Sequence, residues 1–219
     1  VYSPRNAVLL GDFLFSRSFE LASHHTDVKI GQYVAHTINS ICSSEIRQHD
    51  KTSIFPGGFR EYHRRIMGKT AALFAASAFI GATESEVDDR NARRLRKIAY
   101  NIGTGFQIID DIIDFSPHES KTGKSPGTDI RQGIVNLPIL LALEKDDGTL
   151  EKKLAQRPRN GRRLKNILKL TGDLGGIDGA RGFARAYTKK AQQSIDFLPS
   201  GEERERLRRF CAFLLDRDY

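Results

Sequence analysis

The chain has 219 residues, of which 39% are apolar; that is enough for a substantial core, so disorder is excluded as the default and one or two domains are expected. Lys and Arg total 35 against 27 Asp and Glu, a net charge of +8, so the surface is mixed with a basic excess that suits an anionic partner without naming it. Two cysteines, Cys42 and Cys211, are too few for a disulfide scaffold and predict a reduced, cytoplasmic protein.

The sequence opens Val1-Tyr2-Ser3-Pro4, with no initiator Met and no signal-peptide pattern, and its one methionine is Met67; this predicts a processed chain or a fragment. Ala7 to Ala22 reads as a helix with Val8, Leu9, Phe13, Leu14 and Leu21 along it. Asp27 is placed to cap a second helix that reaches Asp50, with Cys42 expected in the core. After the Pro56-Gly57-Gly58 loop a third helix runs from Phe59 to Ile80, with Gly81 expected to end it in a left-handed cap. Its apolar stretch, Ala71 to Ala82, is about a dozen residues, short of the ~18 needed to span a membrane, so no stable membrane insertion is expected. Asp88 or Asp89 opens a long helix ending near Phe115, where Ser116-Pro117 stops it. A polar loop follows to Thr128, then a helix through Pro138 to Glu144. Gly161 to Thr171, Ile177 to Phe197 and Glu202 to Leu215 complete the pattern. Alternating strand patterns are nearly absent, so the expected fold is all-α, with antiparallel helices around a central space.

The chemistry concentrates in Gly105-Phe106-Gln107-Ile108-Ile109-Asp110-Asp111-Ile112-Ile113-Asp114-Phe115. Asp110 and Asp114 share a helix face with Gln107, and Asp111 stands about a third of a turn round. A solvated acidic face or an N-cap cluster is the plainer alternative, but the apolar flanks argue for burial, and buried acids require a cationic partner. Hard carboxylate oxygens suit Mg²⁺, which takes one or two carboxylates, waters and phosphate oxygens. The following loop holds Lys121 and Lys124, with Gly123 and Gly127 to let the backbone approach an anion. Lys69-Thr70 opens a small apolar run, where a lysine must face a wet cavity, pair with a carboxylate or snorkel to a helix edge.

Taken in order, Gly11-Asp12-Phe13-Leu14-Phe15, Glu45-Ile46-Arg47-Gln48, Gly68-Lys69-Thr70-Ala71, the Gln107 to Asp114 stretch, Thr122-Gly123-Lys124, Gly127-Thr128-Asp129 and Leu137-Pro138 resemble the trans-prenyl diphosphate synthase family. The resemblance implies an isoprenoid-synthase-type bundle around a hydrophobic cavity, usually homodimeric, and a single domain over residues 1–219. It implies Mg²⁺-dependent condensation of isopentenyl diphosphate with an allylic diphosphate through an allylic cation, which a dry cavity shields. By the same resemblance Asp110, Asp111 and Asp114 bind magnesium. Lys69, Gln107 and Lys124 are the catalytic residues and, with Thr70, contact the allylic substrate.

Two departures stand out. No Asp-Asp-x-x-Asp precedes residue 110, so the family's first aspartate-rich motif is absent, and residues 1–219 correspond to the later two thirds of such an enzyme. Ile134 replaces a lysine frequent in short-chain members, which leans toward a medium- or long-chain product. The alternative function is a non-catalytic subunit or inactive fragment that binds diphosphate or a partner chain. A nucleic-acid binder is disfavoured, because Arg157, Arg159, Arg162, Arg163 and Lys165 have no interleaved aromatics. The histidines show no zinc spacing, although His49 and Asp50 are placed near the cavity mouth.

Overall fold

Every regular element among the described residues is helical. The computed structural model describes residues 3–24, 27–50, 58–115, 126–156 and 161–215. Two units are distinguished, Val1–Asn39 and Ser40–Tyr219.

In the first unit, α1 (Pro4–Ser23) starts at Ser3, whose Oγ accepts the Asn6 N–H at 3.3 Å, with Pro4 in the first turn, where its missing N–H costs nothing. None of its residues is buried, and Val8, Phe13 and Leu14 are 63%, 64% and 58% exposed. Phe15 and Phe19 meet edge to face at 5.0 Å between centroids. The second helix, α2 (Val28–Asp50), follows Asp27, whose Oδ1 accepts the Lys29 N–H at 2.9 Å, so the expected cap is present. It buries Ile30, Thr37 and Ser44, one stripe with a seven-residue repeat. Cys42 lies off that stripe and is exposed, which corrects its expected place in the core.

The second unit takes in the end of α2 from Ser40 and continues with α3 (Gly58–Ile66), a π-helical segment (Met67–Ala71) and α4 (Ala72–Glu84), which join end to end. Helix α4 runs through Gly81, because Ala82 is buried and holds the chain in the bundle for another turn. The left-handed residue is Glu86, at φ 56°, and the Val87 N–H closes on the Ala82 carbonyl at 3.0 Å. The expected stop at Gly81 is thereby overturned. Taken as one piece, Gly58–Glu84 has 27 residues and passes as a membrane span by length and composition. The apolar stretch is thus longer than the sequence suggested, because helical continuity adds the turns on either side of the alanine run.

Helix α5 (Asp89–Ile113) is the axis of this unit, with Asp88 as N-cap accepting the Asn91 N–H at 3.0 Å. It packs between α4 and α10 (Gly176–Ser194). Small residues permit the approach: Ala180, Ala184 and Ala191 of α10 are fully buried, and a Cβ on Gly105 would stand 3.0 Å from Thr188 Oγ1. Ile108, Ile109 and Ile112 join Tyr62, Ile66 and Leu140 in one core, each isoleucine worth roughly 2 kcal/mol of burial. Ile98 and Ile102 join Ile195, Cys211 and Leu214 in another.

Two short helices were not expected from the sequence. One is α6 (Thr128–Arg131), ended by Gly133 at φ 78° before α7 (Leu137–Leu143), which carries Pro138 in its first turn as expected. The other is α8 (Thr149–Ala155), nucleated by Asp146, whose carboxylate accepts the N–H groups of Leu150 and Glu151 at 2.9 Å each. The last helices are α9 (Gly161–Asp173), α10 with a closing 3₁₀ turn (Ile195–Phe197), and α11 (Glu202–Leu215).

Candidate functional site

The C-terminal half of α5 lays a polar chain into the bundle. Thr70 Oγ1 donates to Gln107 Oε1 at 2.5 Å, Gln107 Nε2 donates to Asp111 Oδ1 at 2.9 Å, and Tyr62 OH donates to Asp111 Oδ2 at 2.8 Å. Asp111 is 5% exposed, and both its oxygens are engaged. Burial raises its carboxyl to about 7; the Gln107 and Tyr62 hydrogen bonds pull the other way, and the Asp129 charge adds to the rise. The Tyr62 hydroxyl is pushed well above its usual value by burial, then by the Asp111 charge beside it.

The neighbouring carboxylates turn elsewhere. Asp114 accepts the N–H groups of Thr128 and Asp129 at 3.0 and 3.2 Å, so it caps α6. Gly127 donates its N–H to the Asp114 carbonyl at 2.8 Å and takes φ 72°. A Cβ there would stand 2.6 Å from Leu164 Cδ1. Glycine at 127 therefore serves the turn and its packing, which corrects the expectation that its backbone is open to an anion. Asp110 faces Asp129 closely enough to raise its carboxyl, after burial as the main cause, while Asn136, Arg65 and Lys69 lower it. Asn136 is fully buried, donates to Asp129 Oδ2 at 3.4 Å, and leaves its own Oδ1 without a partner among the described residues.

Lys69 sits in the π-helical segment and pairs with Glu45, Nζ to Oε1 at 2.8 Å, with both side chains half-exposed. This is one of the arrangements expected of a lysine at that place. Gly68 makes it possible, since a Cβ there would stand 2.0 Å from Ser44 Oγ. The bare glycine lets α2 lie against the π segment and so brings Glu45 beside Lys69. The π turn adds a residue to the helix and so re-aims the side chains that follow it, Thr70 among them.

The structure thus brings together Thr70, Gln107 and Asp111 directly, with Asp110 and Lys69 alongside through Asp129. Among the described residues no group of three or more acidic, His or Cys side chains is set to hold a metal. Lys121 and Lys124 lie outside the described residues, as do the Ser116-Pro117 stop and the side chains of His49 and Asp50. Sequence reasoning passed over Tyr62, Arg65, Asp129 and Asn136 as site residues. The available signal was Asp129 in the Gly127-Thr128-Asp129 match, to which the resemblance attached no role.

An all-α bundle with an acidic, amide-braced helix end facing a lysine on a π turn defines a protein of the isoprenoid-synthase type. Comparison with known proteins agrees. The sequence profile of the polyprenyl synthetase family matches residues 1–171. Heptaprenyl diphosphate synthase component 2 of Bacillus subtilis is 31% identical over 218 residues, 100% of this chain and 63% of that protein. Its namesake in Geobacillus stearothermophilus is 34% identical over 219 residues, 100% of this chain and 68% of that protein. The crystal structure of heptaprenyl diphosphate synthase from Staphylococcus aureus superposes with a TM-score of 0.93 at 30% identity, covering 100% of this chain and 69% of that one. That of a polyprenyl synthase from Caulobacter crescentus, complexed with calcium and isoprenyl diphosphate, gives 0.91 at 29% identity, covering 97% and 66%. The chain belongs to the polyprenyl synthetase family, and it spans between 63% and 68% of the two heptaprenyl synthase components.

Proposed function

We propose that this chain supplies the diphosphate-binding part of a prenyl diphosphate synthase site and works as one component of an assembly, binding a prenyl diphosphate with magnesium without completing the condensation alone. The observation that carries this reading is the braced set Thr70, Gln107, Asp111 and Tyr62 beside Asp110 and Asp129. Two relatives are named as components of a heptaprenyl synthase, which supports a divided enzyme and a medium- or long-chain product.

The donor set fits Mg²⁺. All the candidates are hard oxygens, and the charge crowding between Asp110 and Asp129 is what a divalent cation relieves, with one or two carboxylates sufficing when phosphate oxygens complete the shell. Asp110 and Asp129 would hold the ion, which supplies charge to stabilise a departing diphosphate. Asp111 and Asp114, named with Asp110 by the resemblance, would hold the helix end in place, Asp111 through Tyr62 and Asp114 through α6. Thr70 and Gln107 orient the ligand's reacting end, and Lys69 and Lys124 meet its phosphates. The same reading treats residues 1–219 as part of one domain. It has the exposed apolar side of α1 covered by a second copy, and it places the work in the cytoplasm without membrane insertion. The fuller reading, condensation of isopentenyl diphosphate with an allylic diphosphate by this chain itself, is favoured by the match to heptaprenyl diphosphate synthase from Staphylococcus aureus.

Calorimetry with farnesyl diphosphate, with and without Mg²⁺, tests the proposal, alongside a turnover assay with isopentenyl diphosphate on the same sample. Mg²⁺-dependent binding without product is the expected result. Asp110→Ala should weaken that binding at least about tenfold while leaving the unfolding temperature in place. Binding that ignores both Mg²⁺ and Asp110 would sink the reading, and product formation would establish the fuller one.

A further inference from the structure

We propose that Arg65 is an anion-binding residue of this site, its guanidinium tied to the Val135 carbonyl beside the Tyr62 ring and presenting its remaining N–H groups to the diphosphate of the bound ligand. The inference rests on the diphosphate reading above.

Arg65 lies on α3, three residues after Tyr62 and four before Lys69. Its Nη2 donates to the Val135 carbonyl at 3.0 Å, and its Cζ stands 5.4 Å from the Tyr62 ring centroid. The two contacts fix a long, flexible side chain in one place, half-buried, at the polar end of the bundle. There its charge reaches Tyr62, Asp111 and Asp129 and favours their ionised forms. Yet among the described residues Arg65 forms no ion pair, whereas Lys69 is paired with Glu45 at 2.8 Å and divides its charge between that carboxylate and a ligand. A fixed guanidinium with donors to spare matches the forked oxygens of a phosphate better than a lysine does. In the sequence Arg65 carries no local signature that sets it apart from Arg60 and Arg64.

The competing role is structural, a strap holding α3 to the segment between α6 and α7. Arg65→Gln separates the two, because it removes the charge and the fork: loss of an anion site moves the pyrophosphate and metal affinities apart, and loss of a strap moves them together. Three quantities are read on the intact chain: Mg²⁺-pyrophosphate affinity by calorimetry, Mn²⁺ affinity without pyrophosphate by electron paramagnetic resonance, and the unfolding temperature. If Arg65 binds the anion, pyrophosphate affinity falls about tenfold. Mn²⁺ alone binds about threefold tighter, because a cation near the carboxylates has gone. The unfolding temperature moves by no more than about 2 °C. Arg65→Lys, which keeps the charge but loses the fork, restores the Mn²⁺ affinity and recovers only part of the pyrophosphate affinity. A strap would move both affinities the same way, with the unfolding temperature, and that result overturns the proposal. Unchanged affinities in Arg65→Gln also overturn it while leaving the diphosphate reading intact. A wild type that binds no Mg²⁺-pyrophosphate overturns both.

Discussion

Helices α1 and α5 are both long, and both carry generous apolar side chains, yet they end in opposite environments. Helix α1 spans 20 residues and buries none; α5 spans 25, starts with a run of arginines, and buries Ile98, Ile102, Ile108, Ile109 and Ile112. The difference lies in the partners rather than in the apolar count. Helix α5 meets small residues, Ala184 and Ala191 on α10 and Ala71 and Ala75 on the preceding helix, which let backbones approach and side chains interdigitate. A helix presents an apolar surface on its own account, but whether that surface becomes core depends on what is opposite.

The comparison can be pressed hardest at Asp111, the acid that α5 carries into its interior. Its carboxyl is raised by burial to about 7 from a usual 3.8, so the folded protein keeps a proton that the unfolded chain releases. Its contribution to stability is therefore fully present below pH 3.8 and is lost as pH rises toward 7, a swing of about 4 kcal/mol. Urea unfolding of metal-free protein between pH 4.5 and 8 should show wild type losing stability relative to Asp111→Asn across that window. A constant difference would mean that the helix end is wetter than its geometry indicates.

Glycine substitutions give a smaller, paired test. A Cβ on Gly103 of α5 would stand 2.9 Å from Phe74 Cβ and 3.0 Å from Ala71 Cα, the latter a backbone atom with little room to yield. Gly103→Ala should cost about 1–3 kcal/mol in denaturant unfolding. Gly11 of α1 has nothing within 4 Å, so Gly11→Ala should stabilise by up to about 1 kcal/mol through helix propensity alone. A loss at Gly11 as large as that at Gly103 would break the contrast and place Gly11 itself on the covered side of α1.

Much of the architecture was legible because caps and stops are local. Asp27 and Asp88 each accept a backbone N–H at the helix start their side-chain chemistry predicts, whereas the Ser3 cap, which starts α1 at Pro4 ahead of the expected Ala7, was not read from the sequence. Gly81 misled because a permissive residue does not compel a cap when Ala82 still has a place in the core. Thr128–Arg131 escaped notice because its start depends on Asp114, which is distant in sequence. At the site, the residue types were legible but their assignments were not. Spacing grouped Gln107 with Asp110 and Asp114 on one face, whereas Gln107 is bonded to Asp111 and Thr70. Tyr62 and Arg65 had no local signature, since each matters through a contact with another helix or loop.

The π-helical segment also sets the phase of everything after it. Around the π turn the buried row runs Tyr62, Ile66, Ala71 and Ala75, with Ala76 and Ala82 buried further on, so one step of five interrupts steps of four. An unbroken α-helix would put residue 70 in the buried row and swing Ala71 about 100° off it. The extra residue works as a shim: it keeps one continuous apolar seam against α5 while sparing Thr70 from that seam. Deleting a single residue between Met67 and Ala71 would close the step of five to four and let an unbroken α-helix carry the same seam, with Lys69 and Thr70 no longer set as they are. The spacing from Tyr62 to Thr70 is therefore as much a part of the site as the side chains themselves.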